Sequence, residues 1–222
     1  MGTWETIEAD GAPTRQYVAG MVTPGALGVV LFHAWWGLDA DMTAYADRLG
    51  AAGFAVAAPD LVAGKLATTV DEAEELSGGA DEALADAVAL AAIDGLASRL
   101  GLDSPIATVG FSFGAAWSIW SAAERDRIAA SVVYYGTISG GSLARASVPV
   151  LGHFAANDPF ETDEGVADFE AALVAAGRAV TIHRYPGTGH WFAEPSREAY
   201  VPEAADLAFS RTVDFLQAHL SR

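Results

Sequence analysis

Short, wholly apolar runs alternate along this chain with longer segments whose apolar residues recur every three to four positions, and few folds accommodate that alternation. Ala26 to His33 is a continuous apolar run closing on a polar residue, and Phe54 to Ala58 repeats the pattern. Runs of this length and character suit strands buried on both faces of a parallel sheet. Between them Met42, Tyr45, Ala46, Leu49 and Ala52 fall at helical spacing, with Gly53 placed to end the helix. The alternation continues with a helix from about Asp81 to Leu100, a strand over Ile106 to Gly110, a helix from about Phe113 to Glu124 and a strand over Ala129 to Tyr135. It closes with strand Val148 to Ala155, helix Asp163 to Ala176, strand Val180 to Tyr185 and a helix from about Glu203 to Leu220. Such an order predicts an α/β protein whose central sheet is mostly parallel and carries helices on both faces.

Two segments stand outside the alternation. Thr3 to Glu8 and Arg15 to Met21 flank Asp10-Gly11-Ala12-Pro13, which reads as a β-hairpin at the sheet edge. Asp71, Glu72, Glu74 and Glu75, followed by Ser77-Gly78-Gly79, read as a solvated helix and its loop. With no repeat at a fixed period and no Pro/Ser-rich linker, residues 1–222 are expected to form one domain.

Composition narrows the function classes. Of the residues, 52% are hydrophobic and 18% charged, which leaves ample apolar surface for a core and argues against disorder. Twelve basic residues stand against 29 acidic ones, a net charge of −17, so nucleic acid and anionic membrane surfaces are not expected partners. The absence of cysteine excludes disulfides, thiolate metal sites and a cysteine nucleophile. Met1 to Asp10 shows no basic patch followed by an apolar run, and no uninterrupted apolar stretch is long enough to span a bilayer. A cytoplasmic protein, monomeric or a small homo-oligomer, is the expectation.

Chemistry concentrates after the strands. Strand Ile106 to Gly110 runs into Gly110-Phe111-Ser112-Phe113-Gly114, a G-x-S-x-G pattern opening a helix near Ala115. A strand before and a helix after are the context in which this pattern becomes a nucleophile elbow, with the serine hydroxyl exposed on a strained turn at a helix N-terminus. A serine hydroxyl is a weak nucleophile until a base takes its proton. Among five histidines, His33 ends a strand, His153 and His183 lie within strand patterns, and His219 sits in the last helix; His190 alone lies in a Gly-rich loop, Pro186-Gly187-Thr188-Gly189-His190, after the last strand. The orienting acid belongs between the two in chain order, and Asp158 in Asn157-Asp158-Pro159 follows its strand directly. Asp163 reads instead as the cap of the next helix. The backbone N–H of Phe113 and, from the loop His33-Ala34-Trp35-Trp36-Gly37, that of Trp35 are the candidate oxyanion donors. No H-x-H or H-E-x-x-H spacing occurs, and no metal or organic cofactor is expected.

With these motifs the chain resembles the dienelactone hydrolase family of α/β-hydrolases over nearly its whole length. Ala58-Pro59-Asp60-Leu61, Tyr134-Tyr135-Gly136, and Gly189-His190-Trp191-Phe192 leading to a helix start containing Tyr200 add to the likeness. So does the absence of an inserted cap between Gly136 and Val148. The resemblance implies an α/β-hydrolase fold without a cap domain and a hydrolase of carboxylic esters or small lactones, here through an acyl-enzyme on Ser112. Three positions depart from the family. Ser112 stands at the position of its cysteine nucleophile, Ala34 at that of the glutamate beside the cysteine, and Glu194 at that of an arginine that helps hold the substrate carboxylate. A serine activated by His190 needs no acid to generate a thiolate, so the first two changes agree. Glu194 is expected to repel an anionic dienelactone unless Arg184 or another cation compensates.

Aromatic residues crowd these positions. Trp35, Trp36, Phe113, Trp117, Phe160, Trp191 and Phe192 all lie within a few residues of them, and Trp36, Phe160, Trp191 and Tyr134 are the candidate substrate-binding side chains. The alternatives are dienelactone hydrolysis by a serine enzyme and a non-catalytic hydrolase fold that binds a small molecule.

Overall fold

The computed structural model describes residues 1–101 and 104–221 of the chain. Its elements run β1 (Thr3–Ala9), β2 (Ala12–Ala19), β3 (Leu27–Phe32), α1 (Ala40–Ala51), β4 (Phe54–Pro59), α2 (Val70–Gly78), α3 (Glu82–Leu100), β5 (Ile106–Phe111), α4 (Phe113–Glu124), β6 (Ile128–Tyr134), α5 (Gly141–Arg145), β7 (Val150–Asn157), α6 (Asp163–Ala175), β8 (Val180–Gly189) and α7 (Pro202–Leu220). The strands form one eight-stranded sheet in the order β1-β2-β4-β3-β5-β6-β7-β8. From β4 to β8 all neighbours are parallel, while β2 joins β4 antiparallel. The expected hairpin is β1–β2; Asp10 and Gly11 both have positive φ, 50° and 76°, as a two-residue turn matching strand twist requires.

The apolar runs are buried on both faces because helices cover both. One core layer gathers Leu49, Val56, Phe111, Tyr134, Tyr185 and Leu216 under α1 and α7. The other gathers Phe32, Val88, Ile93, Ile119, Phe154 and Phe169 under α3, α4 and α6. Small residues bring α4 unusually close to the sheet. A Cβ on Gly110 would collide with the Gly114 and Ala115 backbone, and one on Gly114 would lie 2.5 Å from the Phe32 carbonyl oxygen. Buried hydroxyls lock the approach: Thr108 bonds Ser131 at 2.9 Å, and Ser118 donates to the Val132 carbonyl at 3.1 Å.

The acidic segment forms the expected helix, α2, whose Thr69 and Glu72 make a reciprocal capping box. Elsewhere several boundaries differ from the sequence expectation. The segment between β6 and β7 holds one helical turn and a half, α5, which charge and periodicity did not mark. Thr162, not Asp163, caps α6; its hydroxyl accepts the Gly165 N–H at 3.1 Å, while Asp163 pairs with Arg184. The Gly-rich segment before His190 is not a loop, because β8 continues through it to Gly189. Gly187 takes a φ of 74° there, the left-handed conformation that glycine adopts without strain. No helix among the described residues is long and apolar enough to cross a membrane.

Candidate active site

Strand register assembles the site. The chain passes from β3 to β4 on one side and reaches β5 on the other, so the carboxyl ends of β3 and β5 flank the point where strand order reverses, the usual crevice of open α/β sheets. Phe32 pairs with Gly110 and Phe111 with Tyr134, which places His33, Ser112 and Tyr135 along one edge. Asn157 pairs with Gly189, so the next residues, Asp158 and His190, emerge side by side.

Ser112 occupies the elbow with φ 47° and ψ −110°, a conformation costly for any side chain but glycine's. Gly136 makes room for the turn, since a Cβ there would lie 2.6 Å from the Ser112 carbonyl oxygen. The Ser112 Oγ is 2.9 Å from His190 Nε2. His190 Nδ1 lies 2.9 and 2.8 Å from the two Asp158 carboxylate oxygens, which accept and so place the ring proton on Nδ1. Nε2 is thereby left to accept from Ser112. Asp158 is held in turn by the N–H groups of Phe160 and Glu161, at 2.9 and 3.1 Å, and its side chain is wholly buried. A chain of bonds of this kind can draw a hydroxyl proton onto an imidazole and stabilise the resulting charge.

Around it the aromatic residues sort themselves. Trp35, Phe160 and Trp191 pack against one another with ring centroids 5.4–5.7 Å apart, and both Phe160 and Trp191 contact the His190 ring. Phe160 is 47% exposed and forms the rim. Trp36 is buried behind, edge-on to Trp191, with the Arg197 guanidinium 3.9 Å over its ring. Trp36 and Trp191 also line a cavity of about 540 Å³ together with Thr68, Thr69, Val70 and Arg197. Phe113 packs at a tilt against Trp117, whose indole donates to Asp86, and Phe192 is buried against Tyr135 and Tyr185, so Trp117 and Phe192 serve packing.

Two expectations are corrected here. Tyr134 is not a substrate-binding residue: its ring is fully buried under α1 and α7, and its hydroxyl is committed to Tyr45 and Thr212 at 2.9 and 2.8 Å. Position beside the elbow placed its backbone at the site, but strand alternation sends its side chain into the core. Nor does Glu194 face a substrate. It is fully buried, accepts the Tyr135 hydroxyl at 2.7 Å and lies 3.7 Å from Arg197. Burial pushes its carboxyl up to about 8, so at neutral pH it is largely uncharged.

Sequence reasoning passed over Tyr135 and Arg197. Tyr135, with φ 36°, sets its ring 4.9 Å from that of His190. Arg197 pairs with Asp39 at 2.6 Å, and beside it the Ser196 hydroxyl donates to Asp41 at 2.6 Å, clamping the segment after His190 onto the start of α1. The partners of both residues lie far away in sequence, so no local signal marks them. Arg184 is also accounted for, donating to the Ala155 carbonyl and pairing with Asp163.

The fold and this constellation define an α/β-hydrolase. The model of the dienelactone hydrolase family matches residues 14–220, and the chain belongs to that family. It is a carboxylic ester hydrolase, of the ester and lactone type. A Bradyrhizobium sp protein described as a probable 2-oxo-3-(5-oxofuran-2-ylidene)propanoate lactonase is 27% identical over 98% of this chain and 94% of its own. The carboxymethylenebutenolidase of Pseudomonas sp. (strain P51) is 33% identical over 54% of this chain and 51% of its own. Among solved structures, a dienelactone hydrolase-like promiscuous phosphotriesterase from metagenomic libraries superposes with TM-score 0.84 at 22% identity, covering 98% of both chains. A thermophilic carboxylesterase from a metagenomic library gives 0.75 at 16% identity, covering 99% of this chain and 89% of its own.

Proposed function

We propose that the protein is a serine hydrolase that cleaves uncharged carboxylic esters and small lactones through an acyl-enzyme on Ser112. The observation that carries this reading is the unbroken run of hydrogen bonds from Ser112 through His190 to Asp158. As Oγ attacks the ester carbonyl, His190 Nε2 takes the hydroxyl proton and Asp158 stabilises the imidazolium. The N–H groups of Phe113 and Trp35 receive the oxyanion; loss of one such donor costs about 3 kcal/mol of transition-state stabilisation. Collapse of the tetrahedral intermediate breaks the ester bond, and the leaving oxygen takes the proton from His190. Water, deprotonated by His190, then attacks the acyl-enzyme, releasing the acid and restoring Ser112. No step calls on a metal or organic cofactor.

The substrate preference follows from the walls. Trp35, Phe160 and Trp191 offer apolar surface beside His190, and this surface is the wall we assign to the larger substituent. The family position of a carboxylate-binding arginine holds the buried Glu194, while Arg184 and Arg197 are engaged by Asp163 and Asp39. The test is hydrolysis of a short neutral aryl ester against that of dienelactone, with native protein and Ser112→Ala. Fast ester cleavage abolished in the variant, with slow dienelactone turnover, supports the reading. Full ester activity in Ser112→Ala overturns the mechanism, and a preference for dienelactone overturns the assignment of uncharged substrates in favour of the reading that the two curated relatives suggest.

A further inference from the structure

An oxyanion hole needs backbone N–H groups aimed at one point, and an amide in a surface loop has no intrinsic reason to aim there. His33, at the carboxyl end of β3, is fully buried. Its Nε2 lies 3.0 Å from the Leu61 backbone nitrogen, and its Nδ1 lies 2.7 Å from the Ala34 carbonyl oxygen. An amide nitrogen only donates and a carbonyl only accepts, so the ring has one consistent state: neutral, accepting at Nε2 and protonated at Nδ1. The same Ala34 oxygen accepts the Gly37 N–H at 3.2 Å. The Ala34–Trp35 peptide is trans, and in a trans peptide the C=O and N–H vectors point in opposite directions. Tying the carbonyl to His33 and Gly37 therefore turns the Trp35 N–H the other way.

The same residue reaches the second donor. The His33 ring stacks on that of Phe113, with centroids 6.3 Å apart and planes at 24°. The helix that begins at Phe113 also abuts the His33 backbone, because a Cβ on Gly114 would lie 2.6 Å from the His33 carbonyl oxygen. We propose that His33 is a positioning residue of the oxyanion hole, a neutral Nδ1–H imidazole that orients the Ala34–Trp35 peptide so that the Trp35 N–H faces the oxygen of the acyl group on Ser112. This rests on the serine-hydrolase reading above. The charged groups that act on the ring are Asp60 and Asp39, which favour the imidazolium, and Arg15, which opposes it; burial outweighs them and holds His33 below the usual histidine pKa.

Substitution at His33 tests the inference. His33→Leu removes both hydrogen bonds at similar bulk, and His33→Gln offers an amide that can accept from Leu61 and donate to Ala34. In His33→Leu, kcat is expected to fall about 10²-fold with KM within about threefold, as for loss of an oxyanion donor. Affinity for a boronic acid, whose tetrahedral adduct on Ser112 mimics the oxyanion, falls by the same factor, and His33→Gln recovers most of both. Unchanged kcat and boronate affinity in a folded His33→Leu overturn the inference, as does a loss in KM alone. The ¹⁵N resonances of the native His33 ring, identified by their disappearance in His33→Gln, supply a readout that survives if His33→Leu does not fold. They are expected to show a neutral Nδ1–H tautomer at pH 7, and an Nε2–H tautomer or an imidazolium overturns the inference. Failure of the serine-hydrolase reading is separately visible, as ester turnover that persists in Ser112→Ala.

Discussion

Glu194 shares no hydrogen bond with its nearest cation, Arg197, and is sealed from water, so its carboxyl stays protonated to about pH 8. An ordinary glutamate, as in the unfolded chain, ionises near 4.5. Between those values the folded chain holds a proton that the unfolded chain has lost, so this group's contribution to stability falls as pH rises through that window and is level above it. Glu194→Gln, a neutral isostere that can still accept from Tyr135, carries no such dependence. Relative to wild type, the Gln variant is expected to gain stability steadily from pH 5 to pH 8, at up to about 1.4 kcal/mol per pH unit. Denaturant titrations of both proteins across that range check it, and parallel curves would show Glu194 ionised throughout. The aligned position alone made Glu194 a substrate-facing charge. What its side chain meets depends on Tyr135 and Arg197, which reach it through the fold.

At the scale of elements, the elbow stores strain that can be measured apart from activity. Ser112 holds φ 47° only because β5 and α4 fix both ends of the turn. Ser112→Gly and Ser112→Ala both remove the hydroxyl and its bond to His190, but only glycine relaxes the backbone. The Gly variant is expected to be the more stable by about 1 kcal/mol, the order of one such strained residue, read as the difference in denaturation midpoints. Equal midpoints, or a more stable Ala variant, would mean that the turn is unstrained. Close approach is equally specific: in Gly114→Ala the new methyl meets the carbonyl of Phe32, the last residue of β3, and that of His33 just beyond it, and the sheet gives the first no room to withdraw. Displacement of α4 by a fraction of an ångström moves the Phe113 N–H, and ester turnover is expected to fall about 10²-fold while Ser112 remains present. The strands, the long helices and the elbow were legible because each rests on local signals: apolar runs, helical spacing and paired glycines. The end of β8 and the short α5 were not, since the pairing of Asn157 with Gly189 and the packing of Leu143 belong to partners distant in sequence; the Thr162 cap was missed because Asp163 beside it is as good a capping residue and only its pairing with Arg184 takes it elsewhere. The three residues of the hydrogen-bonded run were legible for the same local reason, each lying just past a recognisable strand. Tyr134 was misplaced because being next to the site in sequence does not say which face of the sheet a side chain takes.

For the whole molecule, one sheet runs unbroken from β1 to β8 and each core layer spans most of it, so we infer that the chain unfolds as a single unit. Its charge works against that unit. The arginines at 15, 48, 99, 125, 145, 184 and 197 already have carboxylate partners, and 29 acidic residues against 12 basic ones leave a large excess of negative charge. Added salt weakens both the pairs and the repulsion. Exposed pairs are worth only about 0–1 kcal/mol each, whereas a net charge of −17 repels over the whole surface when the screening length is long. Raising sodium chloride from 10 mM to 0.5 M shortens that length from about 30 Å to a few ångströms. The melting temperature is therefore expected to rise by several degrees, since about 1 kcal/mol moves it by roughly 2–4 °C in a chain of this size. Calorimetry at the two concentrations reads both inferences at once. A single peak moving upward supports them, two resolved peaks would divide the chain into separate units, and a peak that moves downward would show that the ion pairs outweigh the repulsion.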